Sequence, residues 1–161
     1  MRTSHFTSEF WLPVRREQLF PFFADAGNLE RITPPWLHFH ILTPFPIAMV
    51  VDTRIEYRLR LWGIPMGWRT HITAWEPPGR FVDEQEHGPY RLWVHEHFFL
   101  PRCGGTLCLD HVTYAVPGGK LVDRWLVGPQ VRRIFDHRRR ALQHLFPSGR
   151  TSPPAVPREL T

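Results

Sequence analysis

Apolar and polar residues alternate with a period of two through the middle of the chain and with a helical period near its end. From residue 53, TRIEYRLRLWGIP sets Ile55, Tyr57, Leu59 and Leu61 on one side and Arg54, Glu56, Arg58 and Arg60 on the other. That alternation marks a half-buried strand. A Gly63-Ile64-Pro65 turn leads to MGWRTHITAWE, and RFVDEQEH, YRLWVHEHFFL and TLCLDHVTYAV follow. Their separators are Pro77-Pro78-Gly79, Gly88-Pro89 and PRCGG, with Pro117-Gly118-Gly119 as the final stop. Strands of similar length, each ended by Gly or Pro, predict consecutive antiparallel hairpins.

Before this meander, residues 5–14 (HFTSEFWLPV) have strand-like content. RREQLFPFFADAGNL predicts a short helix with Leu19, Phe20, Phe22 and Phe23 crowding one side. Residues 28–32 predict a second short helix, ended by Pro34-Pro35, and 36–43 (WLHFHILT) another strand. After the meander, residues 120–146 place apolar side chains at 121, 122, 125, 131, 134, 135, 142 and 145, with Arg138 as the exception on that face. This is one amphipathic helix, which Gly128-Pro129 should kink or split.

The order predicts an α+β architecture: a curved antiparallel sheet of about seven strands, two short helices after the first strand, and a long C-terminal helix across the concave face. Such a wrap leaves a pocket between helix and sheet. Residues 1–147 are expected to form this single domain, and the proline-rich 148–161 a disordered tail.

Composition sharpens the picture in a few places. The chain has 161 residues, and its 17 prolines argue against an all-helical bundle. Twelve Phe, seven Trp and three Tyr supply large apolar surfaces for a core or a cavity. The net charge of +5 comes almost wholly from arginines, Lys120 being the one lysine. Most are scattered singly on strand faces with no recognised motif, so nucleic-acid binding is not expected. The basic stripe Arg132-Arg133 and Arg138-Arg139-Arg140 reads as a solvated helix face. Cys103 and Cys108 are too few for a disulfide scaffold, although a local bridge across Gly104-Gly105 is sterically conceivable. Neither an apolar leader nor a stretch of membrane-spanning length is visible, so no stable membrane insertion and a cytoplasmic location are expected.

Several motifs carry a family resemblance: Asn28-Leu29 with Ile32-Thr33-Pro34-Pro35-Trp36; Gly63-Ile64-Pro65, Trp68, Ile72, Trp75 and Pro77-Pro78; Phe81 to Gln85; Gly88-Pro89-Tyr90; Trp93-x-His95-x-His97-Phe98; and Gly105-Thr106, Asp110 and Tyr114. Over about residues 3–146 the chain resembles the helix-grip, or START-like (SRPBCC), superfamily that includes the birch pollen allergen. Within it, the polyketide cyclase/dehydrase and coenzyme Q-binding type is the most similar. A bacterial subgroup sometimes joined to sugar-epimerase-like proteins described as cell-division inhibitors looks nearest, which implies an epimerase-like partner. The resemblance implies a pocket for a small hydrophobic molecule (a lipid, a quinone or a polyketide-like compound) and no single chemistry. The Rieske and mononuclear-iron motifs of the oxygenase members are absent.

The residues with chemistry cluster on three predicted strands. Period-two alternation puts Trp93, His95, His97 and Phe99 on one face of their strand. Phe81, Asp83 and Gln85 share a face of one neighbour, and Cys108, Asp110, Val112 and Tyr114 of the other. If the three faces coincide, Asp83, Gln85, His95, His97 and Asp110 form a set of donors and acceptors that can satisfy one another when buried. That face is expected to point inward, because Glu84, Glu86 and Glu96 opposite are like charges that need water. Four roles are open to it: a structural network, a ligand-gripping network, a metal site with Asp83 or Asp110 as carboxylate, and acid–base catalysis of the cyclase or dehydratase kind. The function expected is binding or carriage of a hydrophobic molecule, with neither cofactor nor metal. His95, His97, Asp83 and Gln85 would anchor polar groups, and Trp68, Trp93, Tyr57, Leu61, Tyr114 and Trp125 would make apolar contact. Ile32 to Trp36 would lie near the mouth.

Overall fold

The computed structural model describes residues 1–148, so the expected tail lies almost wholly outside the described residues. Strand β1 (Ser4–Leu12) precedes helix α1 (Arg16–Ala24), a 3-10 turn (Ala26–Asn28) and helix α2 (Leu29–Ile32). A second 3-10 turn (Pro35–Leu37) leads to β2 (His40–Ile41), then β3 (Arg54–Leu61), β4 (Ile64–Glu76), β5 (Arg80–His87), β6 (Leu92–Arg102) and β7 (Gly105–Ala115). The C-terminal helix starts as α3 (Gly119–Val122), passes through a π turn (Asp123–Val127) and continues as α4 (Gly128–Leu145). All pairings are antiparallel, and the sheet order is β1-β7-β6-β5-β4-β3-β2. Seven strands, two short helices after the first and one long helical segment packed on the sheet are the expected arrangement.

Three local expectations differ. The predicted strand over 36–43 shrinks to His40–Ile41, because Pro34 and Pro35 start a 3-10 turn and His38 closes it in the left-handed region. The hairpin turn assigned to Gly63-Ile64-Pro65 sits one residue earlier, at Trp62-Gly63, with Ile64 and Pro65 already paired in β4. Trp62 and Gly63 both have positive φ, as do Cys103 and Gly104 in the β6–β7 turn. Two such residues in a row match the right-handed twist of the flanking strands. The break expected at Gly128-Pro129 is instead the π turn just before it. Pro129 opens α4, where its missing N–H costs little.

The core divides along the sheet. At one end Leu19, Phe20 and Phe23 of α1 pack on Phe10, Leu12, Phe81, Phe99 and Cys108, with Leu142 of α4 beside them. At the other end Val127, Val131 and Phe135 cover Val112, Tyr114 and Val116. Between them Leu37, Leu59, Leu61 and Trp68 form a third group, with Tyr57, Tyr90 and Trp93 against it. The charged faces lie outside as expected: the Arg69–Glu56 pair links neighbouring β4 and β3 in solvent, and Arg54–Glu86 (2.9 Å) reaches over β4 from β3 to β5. None of the described helices is long and apolar enough to cross a membrane.

The two cysteines are both free, Cys103 exposed and Cys108 buried. Burial, helped by Asp110, pushes the Cys108 thiol up to about 12. Alkylation of native protein at pH 8 should therefore give one adduct by mass spectrometry, on Cys103, and two once urea is present. Since the folded value lies above the unfolded one, this thiol's contribution to stability is intact below about pH 9 and declines as the pH rises toward 12.

Candidate functional site

A cavity of about 170 Å³ lies between α4, the α2–β2 segment and the inner face of β3–β6. Its walls are mostly apolar and aromatic: Tyr57, Leu59, Leu61, Trp68 and Trp93 from the sheet, Tyr90 from the β5–β6 turn, and Ile32, Pro34 and Leu37 from the covering segment. On α4, Val131, Ile134, Phe135 and Arg138 recur at i, i+3, i+4 and i+7, so one helix face lines the cavity. Trp68 and Tyr57 stack with ring centroids 5.9 Å apart, and Trp93 meets Trp68 edge-on at 5.6 Å. Thr70 is the polar point in this aromatic wall. It accepts from Trp68 Nε1 at 3.0 Å and pairs with the Tyr57 hydroxyl at 2.9 Å. Burial, with the Asp83 charge adding to it, raises the Tyr57 hydroxyl and keeps it protonated.

The other end of the cavity is polar, and sheet register builds it. Asp83 on β5 stands opposite His95 on β6, and His97 on β6 stands opposite Asp110 on β7. The short bonds run along the diagonals: His95 Nε2 to Asp110 Oδ1 at 2.8 Å, and His97 Nε2 to Asp83 Oδ2 at 2.6 Å. The directly opposite pairs are looser, with His95 Nδ1 3.7 Å from Asp83 Oδ2 and His97 Nδ1 3.4 Å from Asp110 Oδ1. The two imidazoles lie against each other with centroids 3.6 Å apart, and Phe81 stacks on His97 at 3.8 Å. Arg138 donates from Nη2 to His97 Nδ1 at 3.3 Å. These partners assign the tautomers: each Nε2 carries a proton and donates it to a carboxylate, while His97 Nδ1 accepts from Arg138.

His95, His97 and Asp110 are each 5 % exposed or less. Burial, with His97 adjacent, lowers His95 to about 4, so it is neutral at pH 7. Burial alone would raise both carboxyls. For Asp110 the hydrogen bond from His95, the adjacent His97 and the Arg138 charge outweigh it and hold the group well below its ordinary range. For Asp83 the same two histidines and Arg138 leave it lowered. Asp83, His95, His97 and Arg138 line the cavity, whereas Asp110 stands behind the histidines.

Eight of the twelve residues expected at the site therefore line the cavity: Ile32, Tyr57, Leu61, Trp68, Asp83, Trp93, His95 and His97. Four do not. Gln85 closes the β5–β6 turn instead, donating to Tyr90 O at 2.7 Å and accepting from Tyr90 N at 3.1 Å. It lies just past Glu84–Val94, the last β5–β6 pair, so a local backbone partner captures the amide. Tyr114 is buried but donates its hydroxyl to Asp123 Oδ1 at 2.8 Å, tying β7 to the π turn. Trp125 is 70 % exposed, because the π turn aims Val127 at the sheet and leaves Trp125 on the outer side. Trp36 lies outside the cavity wall under the Arg133 guanidinium, 4.4 Å above its ring.

The main residue missed is Arg138, assigned to a solvated stripe although it interrupts the apolar face of the helix. That interruption is the signal, since a charge in a buried helical stripe needs a partner. Thr70 and Tyr90 are missed as well. Thr70 alternates with Trp68 and Ile72 on the inward face of β4, so period two would have found it, whereas Tyr90 sits in the Gly88-Pro89 turn, outside any strand period.

The same architecture recurs among known proteins. A family model described as polyketide cyclase/dehydrase and lipid transport matches residues 12–143. No curated protein matches the sequence. Among solved structures, Ara h 8.0201 aligns over 90 % of this chain and 98 % of its own, with a TM-score of 0.68 and 16 % identity. TTHA0849 from Thermus thermophilus aligns over 88 % and 95 %, with a TM-score of 0.66 and 18 % identity. Major latex-like protein 151 from Panax ginseng aligns over 91 % and 99 %, with a TM-score of 0.66 and 10 % identity. At these identities the likeness is one of fold.

Proposed function

The chain belongs to the polyketide cyclase/dehydrase and lipid transport family, and from that premise we propose that it binds one small, largely apolar, ring-containing molecule bearing an oxygen, of the quinone or polyketide-like kind. The observation that carries this reading is the two-ended cavity: an aromatic wall of Tyr57, Trp68 and Trp93 at one end, and the His95–His97–Asp83–Arg138 group at the other. Apolar walls with a few convergent polar groups are the general form of a small-molecule site. Size favours a ring over a long acyl chain. An engineered apolar cavity of roughly 150 Å³ holds one benzene, and this one has about 170 Å³.

Two measurements test the reading. Native mass spectrometry of freshly purified protein should show a copurified small molecule. Calorimetric titration with 1-naphthol should show a single site, and Ile134→Phe, which fills the cavity from α4, should weaken it at least about tenfold. Unchanged affinity in a variant with an unaltered circular dichroism spectrum would place the ligand elsewhere and sink the proposal.

One geometric observation favours a second reading, acid–base catalysis of the aromatase/cyclase or dehydratase kind. His95 lines the cavity and its Nδ1 has no partner within hydrogen-bond distance among the described residues, while Asp110 orients the ring from behind. Under this reading His95→Ala abolishes turnover and leaves ligand affinity nearly intact. An epimerase-like partner and a cytoplasmic location are proposed on the sequence resemblance alone. A pull-down with the partner and cell fractionation address them.

A further inference from the structure

From the crossed histidine–aspartate pairs we infer that Asp83, His95 and His97 form a binding site for one divalent transition-metal ion, zinc or ferrous iron, with its open coordination position facing the cavity. One carboxylate oxygen and one nitrogen from each imidazole lie within 4.8 Å of one another. His95 Nδ1 and Asp83 Oδ2, 3.7 Å apart, are two acceptors turned toward each other. Since His95 donates its one ring proton from Nε2 to Asp110, nothing joins this pair. Neighbouring ligand atoms around a tetrahedral ion with bonds of about 2.0–2.2 Å lie roughly 3.3 Å apart. The 3.7 Å gap needs to close by a few tenths of an ångström, and the 2.6 Å contact of Asp83 with His97 to open by slightly more.

The surroundings have the layered form of a metal centre. Metal-bound imidazoles hold their second nitrogen on a carboxylate behind them. Asp110 occupies that place for both rings, 2.8 Å from His95 Nε2 and 3.4 Å from His97 Nδ1. On metal binding, the proton of His97 moves from Nε2 to Nδ1, where Asp110 accepts it and the Arg138 hydrogen bond to that nitrogen is released. The ring stays neutral and no net proton is released. Arg138 approaches His97 from the Nδ1 side, away from the converging atoms, so its charge offsets the outer carboxylate. Two imidazoles and a carboxylate with open positions suit zinc or non-haem ferrous iron. The spacing of the histidines alone does not favour a metal; the strand register supplies the third ligand and the supporting carboxylate.

The test uses the full-length protein depleted of metal by chelation. Titration with Co²⁺ should saturate at one equivalent and give the visible absorption of a four- or five-coordinate ion, which Zn²⁺ then displaces. Asp83→Asn, nearly isosteric, should remove the saturable equivalent. Asp110→Asn should weaken it about 10–100-fold. His71→Ala, in a surface pair with Asp52, should leave it unchanged. Should Asp83→Asn fail to fold, Zn²⁺ protection of His95 and His97 from diethylpyrocarbonate in the unmodified protein reads the same site. No saturable equivalent, binding unaffected by Asp83→Asn, or equal labelling with and without Zn²⁺ would each overturn the inference. Ile134→Phe leaves all three ligands in place, so cavity binding and metal binding can fail separately.

Discussion

Replacing Asp110 with alanine is expected to lower the free energy of unfolding by about 3–5 kcal/mol, read as a shift of the urea midpoint. Asp110 is 5 % exposed and accepts from His95 while facing His97 across β6–β7. Removing it strips the His95 Nε2–H of its acceptor and leaves the Arg138 charge with one carboxylate instead of two. The cost is that of groups left buried and unmatched, which exceeds the net worth of the bonds themselves. Asp110→Asn keeps the shape and one acceptor oxygen, so its loss should be smaller. A cost below about 1 kcal/mol for the alanine variant would mean that water enters the site and replaces the carboxylate.

Phe99→Ala should cost about 3–5 kcal/mol by loss of buried area and by the cavity left behind. Phe99 is 2 % exposed, with ring centroids 4.9 Å from Phe23, 5.5 Å from Phe20 and 6.0 Å from Phe81. It joins α1 to the sheet, and its backbone oxygen also accepts from Arg16 at 3.3 Å. Hydrogen exchange should show α1 losing protection before β6 does. Phe99→Leu fills most of the volume and should recover more than half of the stability.

The sheet is legible in the sequence because period-two alternation and Gly or Pro turns act locally. Ile55, Tyr57, Leu59 and Leu61 announce their face with no knowledge of a partner strand. The inward direction of His95 and His97 follows from comparing both faces, since Glu84, Glu86 and Glu96 need water more. What escapes depends on geometry that no single strand encodes. Gln85 is lost to a turn that its own side chain closes. Trp125 is carried outward by a π turn, which shifts the helical phase and leaves no periodic trace. Arg138 is grouped with Arg139 and Arg140 because adjacent charges look alike, although its position on the helix differs from theirs by about 100° or more. The diagonal bonding of the histidines requires the register of three strands at once.

The pairing of β1 with β7 bears on how the chain comes to fold. Every other neighbour in the sheet is also a neighbour in sequence, so β2 to β7 can zip up hairpin by hairpin. β1 cannot join them: Ser4 pairs with Tyr114 and Leu12 with Thr106, so its partner does not exist until about a hundred residues later. At a synthesis rate of about 5–20 residues per second, the first strand waits roughly 5–20 s on the ribosome with its backbone unpaired. During that interval it carries Phe6, Phe10, Trp11 and Leu12 without cover. Once made, β7 in turn shows an open edge until β1 docks, and such an edge invites pairing with another chain. The last event in assembling the sheet is therefore the closure of its longest loop, and nascent chains are most prone to aggregate just before it.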